Sequence, residues 1–406
     1  MNRRTFLTTT GAIAAGATLG CSNESSMPIP ASLDPEVGEM INAFAGDLYA
    51  KLRSEKGNVF FSPFSISTAL GMTATGAKGE TLSQMQKVLH LPAETATVDA
   101  RFAGLMLALS NPKTGYQLTT ANAIWAQNGF PWREEFKTRV SKYGAGLRDA
   151  EFAAQPDAER LKVNKWVEEQ TKDKIKELLA SGTVDATTRM ILVNAIYFKG
   201  DWVSAFDKKA TKPAPFTATD GTKTDAPLMF RKGTFSLYEG DGVQVLSMPY
   251  KGNDLSMIVA LPTKIDGLPA LEAKLDAKIF ESWTKKLSPT NDVMVSFPKF
   301  KTETNYSLGK TLIDMGMSNA FDKVAADFGG MHSAPDKLYL SLVVHKAFVD
   351  INEEGTEAAA ATAVVMSRAP SPVTQTKTFR ADHPFVFAIR HVASGAILFL
   401  GRVEKP

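Results

Sequence analysis

The sequence predicts an α+β fold built as one large domain, and three observations lead there. The chain has 406 residues, 44% of them hydrophobic, which is enough to bury a sizeable core. Helical and strand-like apolar periodicities both occur without strict alternation, so large mixed or antiparallel sheets with clustered helices fit better than a doubly wound parallel sheet. No Gly/Ser-rich linker, repeat or low-complexity run interrupts the chain after residue 34, so residues 34–406 read as a single domain.

The first twenty residues are of another kind. Arg3 and Arg4, followed by Phe6 and Leu7, precede a small, weakly apolar run over residues 8–20. That run is too short and too poor in Leu and Ile to remain as a spanning helix, and it reads as a removable export signal (residues 1–20). Its start resembles a twin-arginine signal. Thr18-Leu19-Gly20-Cys21 resembles the lipidation box of bacterial lipoproteins, with Thr18 standing where Leu is common. Cys21 is the only cysteine, so no intramolecular disulfide can form, and it is the expected lipidation site. Residues 21–33 are polar with interspersed proline and suit a tether. The expected location is outside the cytoplasm, extracellular or periplasmic, with membrane attachment only through a lipid on Cys21.

Within the domain, helical spacing occurs at residues 35–55, 65–75, 81–89, 157–179 and 307–315. Strand-like runs occur at 117–127, 190–198, 243–249, 255–261, 293–300, 342–351, 385–389 and 397–403. Lys and Arg number 46 against 43 Asp and Glu and are scattered among them, which leaves no cationic stripe for nucleic acid.

Catalytic signatures are absent. There is no G-x-S-x-G, H-E-x-x-H or C-x-x-C, and the five histidines have no neighbours at metal-ligand spacing, so neither a metal nor a cofactor is implied. The run from Gly71 to Lys78 nearly copies a phosphate-binding loop, but Ala77 separates Gly76 from the lysine and would displace it from the phosphates. It reads as a helix end. A Ser/His/Asp site assembled across the fold is the remaining route to an enzyme, since such triads are set by geometry.

The informative segment is residues 350–384. After the strand ending at Ile351 the chain runs Asn352-Glu353-Glu354-Gly355-Thr356-Glu357 and then Ala358-Ala359-Ala360-Ala361. Taken alone, these alanines would make a short helix. Beyond Met366 the chain turns polar and proline-broken, through Ser367-Arg368-Ala369-Pro370 to Lys377, as a long exposed loop does when it carries function.

Several motifs, in order across most of the chain, resemble the serpin family. They are Asn58-Val59-Phe60-Phe61-Ser62-Pro63-Phe64-Ser65, Leu192-Val193-Asn194 through Gly200-Asp201-Trp202, Phe297-Pro298-Lys299-Phe300, His345-Lys346-Ala347-Phe348, Glu353 through Ala360, and Asp382-His383-Pro384-Phe385. The resemblance implies three β-sheets, with a five-stranded central sheet A, about nine helices, and an exposed reactive loop over about residues 354–378. It implies a protease inhibitor that acts as a suicide substrate: the loop is cut, an acyl-enzyme forms, and the freed loop inserts as a new strand in sheet A. A non-inhibitory binding protein on the same scaffold is the alternative.

Residue by residue, the resemblance makes Glu353 to Ala361 the hinge. An inserting strand points alternate side chains inward, here Thr356, Ala358, Ala360, Thr362, Val364 and Met366, none of them charged, with Glu357 outside. Ser62, Ser65, Asn194 and His345 are implied to form a polar cluster under the middle of sheet A. Trp202, Lys299 and Glu353 are implied to lie where the loop enters, with Lys299 and Glu353 as an exposed ion pair of little value. The cut bond is Arg368-Ala369 or Ala369-Pro370, and proline after the bond blocks most serine proteases. Arg368 implies a trypsin-like target; Met366-Ser367 is the alternative bond. The segment corresponding to a heparin-binding helix of some relatives, residues 96–110, holds Arg101 as its single basic residue, so glycosaminoglycan binding is not expected. The expected partner is a serine protease, and the chain is expected to be a monomer.

Overall fold

The computed structural model describes residues 33–110, 115–356 and 376–406. The export signal, Cys21 and the loop residues Glu357 to Ala361, Met366, Ser367, Arg368 and Ala369 therefore lie outside the described residues.

Nine α-helices and two β-sheets are present among the described residues. The six-stranded sheet runs in the order Phe300–Ser307, Leu342–Ile351, Gly355–Thr356, Met190–Asp201, Tyr116–Gln127 and Gly146–Ala150. Five of these strands are full, and Gly355–Thr356 is a two-residue stub between two of them. The other sheet has nine strands. The two smaller sheets implied by the resemblance are joined here through one long strand, Lys223–Gly240. It pairs in turn with Lys212–Thr217, Ser288–Pro298 and Val243–Pro249, and an irregularity between Gly233 and Phe235 marks the change of course.

The strand Met190–Asp201 is buried along nearly its whole length because both of its faces are covered. Leu192, Ile196 and Phe198 join the main core, while Ile191, Val193 and Ala195 join a second, smaller core with Val163 and Val167 of the helix Pro156–Gln170. This is the period-2 alternation of a strand. The helix over residues 157–179 is shorter than its periodicity predicts. It ends at Gln170, since Lys172 and Asp173 take left-handed backbone angles (φ 54° and 61°).

The helix Pro63–Ala74 lies in the main core with all twelve residues buried. Ser62 caps it by accepting from the Ser65 amide, and Pro63 fills the first turn, where no amide donor is needed. Nearby, Arg402 donates to Glu272 at 2.9 Å, Tyr49 donates to the same carboxylate oxygen at 2.6 Å, and both charged residues are buried. Breaking such a pair from one side strands the other charge. Arg402→Leu is expected to cost about 3–5 kcal/mol of stability, read as a lower urea midpoint; an unchanged midpoint would show the pair to be structurally idle.

Candidate functional site

The strands Leu342–Ile351 and Met190–Asp201 run parallel and pair directly from Leu342–Ile191 to Phe348–Tyr197. Above that ladder the chain turns at Asn352, and Gly355–Thr356 wedges between them. Thr356 pairs antiparallel with Ile351 on one side and Gly200 on the other, and Gly355 pairs with Asp201. A Cβ on Gly355 would lie 2.0 Å from the Gly200 carbonyl oxygen, so only glycine allows this approach. Thr356 is fully buried, and its hydroxyl bonds that of Tyr250 at 2.8 Å. Thr356 thus points into the protein interior.

Trp202, Lys299 and Glu353 meet at the top of the sheet. The Trp202 indole donates to the Asn352 carbonyl at 3.1 Å, its amide donates to the Glu354 carbonyl at 2.8 Å, and its ring stacks on Tyr250 at 4.5 Å. Phe206 holds the next carbonyl, its amide donating to Glu353 at 2.8 Å. Lys299 and Glu353 do pair, at 3.0 Å, but not as an exposed pair: the Glu353 side chain is 5% accessible, against 38% for Lys299. Thr211 donates to the same carboxylate at 2.7 Å. Burial alone would raise the Glu353 pKa, but the hydrogen bonds and the lysine outweigh it and hold it below the usual carboxylate range. Glu354, one residue on, pairs with Lys208 at 2.6 Å. Residues 352–356 are therefore anchored by both backbone and side chains.

Ser62, Ser65, Asn194 and His345 come together below, from a helix start and from the two parallel strands. The Ser62 amide donates to His345 Nε2 at 3.0 Å, and the Ser62 hydroxyl donates to the Leu398 carbonyl at 2.6 Å. Asn194 Nδ2 faces three acceptors, the Ser65 carbonyl at 2.8 Å, the Ser65 hydroxyl at 2.6 Å and Asn122 Oδ1 at 2.6 Å. Asn122 is a fifth member that the sequence reading missed; a buried amide on the core side of a largely apolar strand was the available signal. His345 Nδ1 contacts Asn194 Oδ1. Since Nε2 accepts, the proton sits on Nδ1 and donates to Asn194.

That tautomer leaves no room for a second proton, which would point at the Ser62 amide. Complete burial pushes the His345 pKa down to about 3. Its folded pKa is below its unfolded value of about 6.5, so its contribution to stability is full above about pH 6.5 and is lost as pH falls toward 3. His345→Gln is expected to be less stable than the parent at about pH 7 by about 1–3 kcal/mol, yet to lose less stability on going to about pH 4.5. Equal losses in paired urea titrations would remove His345 as the acid-sensitive group.

Elsewhere, the helix Thr95–Ser110 has its single arginine engaged within the chain, Arg101 donating to Asp34 at 2.8 Å and pairing with Glu36. The near phosphate-loop motif is a helix end, since the helix stops at Ala74. No group of three or more potential metal ligands occurs among the described residues.

Residues 39–406 match the family described as Serpin (serine protease inhibitor). An uncharacterized serpin-like protein of Thermococcus kodakarensis is 40% identical over 90% of this chain and 85% of its own length. The human leukocyte elastase inhibitor is 40% identical over 89% of this chain and 97% of its own. Among solved structures, Serpin48, described as a highly specific serpin of the insect Tenebrio molitor, superposes with a TM-score of 0.82 at 33% identity, covering 92% of this chain and 99% of that one. A match over this length, with relatives named as inhibitors at this identity, establishes that the chain belongs to the serpin family.

Proposed function

We propose that this serpin is an inhibitory one, a suicide substrate for a trypsin-like serine protease. The observation that supports the reading is the wedge: Gly355–Thr356 pairs with both parallel strands, at the place where an inserting loop would enter. In the proposed reaction the protease serine attacks the Arg368 carbonyl carbon. An ester bond forms between serine and Arg368, the Arg368-Ala369 bond breaks, and Ala369 leaves with a proton as a new amino terminus. The freed loop then follows Thr356 between the strands, carrying the acylated protease away before water can complete hydrolysis.

The driving force follows from the pairing. The parallel ladder between the two strands spans seven residue pairs, and an inserted strand replaces it with two antiparallel ladders, which are also more stable per residue. Each added hydrogen bond contributes roughly 1 kcal/mol net. The intact chain is then kinetically trapped, released only when the loop is severed. Export, attachment through a lipid on Cys21 and a monomeric state complete the proposal.

Mixing the protein with trypsin is expected to give a covalent complex that survives SDS. Thr356→Arg is expected to be cut without forming it, because a guanidinium would take a fully buried position beside the Tyr250 hydroxyl, at the cost of desolvating its charge. Cleavage of the parent without complex would favour the non-inhibitory alternative, and normal trapping by the arginine variant would dismiss strand insertion.

Mass spectrometry of the short carboxy-terminal fragment released on denaturing that complex is expected to show Ala369 at its amino terminus. An amino terminus at Ser367 would instead assign the bond to Met366-Ser367 and point away from trypsin-like targets.

A further inference from the structure

Asn128-Gly129 is the single Asn-Gly pair in the chain, and it stands where the edge ladder of the six-stranded sheet closes. The last register pair between Tyr116–Gln127 and Gly146–Ala150 is Gln127 with Ala150. The Asn128 amide extends that ladder, donating to the Ala150 carbonyl at 2.8 Å. Its side chain reaches across as well, with Nδ2 donating to Glu151 at 2.7 Å.

The same turn sets a nucleophile against an electrophile. The Gly129 amide nitrogen lies 2.8 Å from Asn128 Oδ1, which brings it beside the side-chain carbonyl carbon that carries this oxygen. Among the described residues that amide makes no backbone hydrogen bond, so no ladder bond opposes its loss of a proton. Both residues are exposed, and Gly129 takes a left-handed φ of 99°. A Cβ at Gly129 would meet nothing within 4 Å, so no neighbour restrains the turn, and the missing side chain leaves the nitrogen open to approach.

We propose that Asn128 is a self-modification site, converted through Gly129 to aspartate and isoaspartate, and that this conversion weakens the closure of the edge ladder. The Gly129 nitrogen bonds to Asn128 Cγ, the bond from Cγ to Nδ2 breaks, and the Gly129 amide proton leaves with Nδ2 as ammonia. Water then opens the resulting cyclic imide. Opening at Cγ gives aspartate on an intact main chain; opening at the Asn128 main-chain carbonyl carbon gives isoaspartate, which lengthens the backbone of the turn. Either product exchanges an amide donor for a carboxylate, so the contact with Glu151 turns from a hydrogen bond into a meeting of like charges. The site is independent of the proposed inhibition, because both reacting groups lie in the turn itself.

Peptide mass spectrometry of the whole chain after incubation in mildly alkaline buffer tests the reaction. Asn128 is expected to convert at least about tenfold faster than Asn253 and Asn291, which are also exposed but are each followed by aspartate. Gly129→Ala is expected to slow the conversion by about tenfold or more. The consequence is read on Asn128→Asp, whose urea midpoint is expected to fall below that of the parent and to recover in part when Glu151→Gln removes the opposing charge. Conversion of Asn128 no faster than that of the other two asparagines, undiminished conversion in a folded Gly129→Ala chain, an unchanged midpoint for Asn128→Asp, or no recovery with Glu151→Gln would overturn the assignment. Should Gly129→Ala fail to fold, the comparison of the three asparagines in the parent chain and the two midpoints still decide.

Discussion

The parallel pairing between Leu342–Ile351 and Met190–Asp201 is the constraint on which the rest of the molecule depends. In every other contact these strands are committed. Leu342–Ile351 is held antiparallel by Phe300–Ser307 along its outer side, and Met190–Asp201 by Tyr116–Gln127. The sheet has two parallel ladders, this seam and the edge pairing of Gly146–Ala150 with Tyr116–Gln127, and the seam is the one flanked on both sides by antiparallel strands. Parallel pairing is slightly weaker per residue, and the seam is already open at its upper end around Gly355 and Thr356. Under the proposed mechanism its position decides what the hinge can do, and the residues around it would serve either to keep it closed or to let it open.

The upper end is held by groups that would have to rearrange for anything to enter further. Trp202 and Phe206 grip three successive carbonyls, of Asn352, Glu353 and Glu354, and Lys299 with Thr211 holds the Glu353 side chain. Because the carboxylate is buried and doubly bonded, this pair contributes more than the surface interaction its sequence suggested. Under the proposed mechanism the anchor is needed while the loop moves, since a strand must thread from a fixed end to enter in register.

How much of this was legible in the sequence follows from distance along the chain. The meeting of Trp202, Lys299 and Glu353, and that of Ser62, Ser65, Asn194 and His345, could be read because each of these residues lies within one of the contiguous motifs. Asn122, Thr211 and Tyr250 could not. Each is an ordinary strand or loop residue whose partner lies 72, 142 or 106 residues away, and only Asn122, an amide on the core side of a largely apolar strand, carries any local sign. The long strand Lys223–Gly240 was missed for another reason. It changes partners along its length, so its burial pattern is irregular, and neither a helical nor a strict strand period emerges. The helix over 157–179 was over-extended because apolar spacing continues through Ile175, Leu178 and Leu179, which are buried but reached by irregular chain after the left-handed break.

The polar cluster beneath the seam is the remaining puzzle, since a core position filled by a histidine, two asparagines and two serines gives little net stability over apolar packing. Under the proposed mechanism its value lies in what happens when the strands part. An apolar seam packs like a crystal and must lose its contacts all at once to slide. Here Asn194 faces three acceptors with two protons to give, so its bonds can be redistributed as the neighbouring strand shifts. His345 behaves differently. Its two nitrogens are both committed, one to each side of the seam region, and its neutral tautomer is fixed by the Ser62 amide. Asn194 and His345 stand opposite each other in the parallel register, so one partner is adaptable and the other rigid. That combination keeps the seam in one register while closed and lowers the cost of leaving it, as the proposed insertion requires and a uniformly apolar seam would not provide.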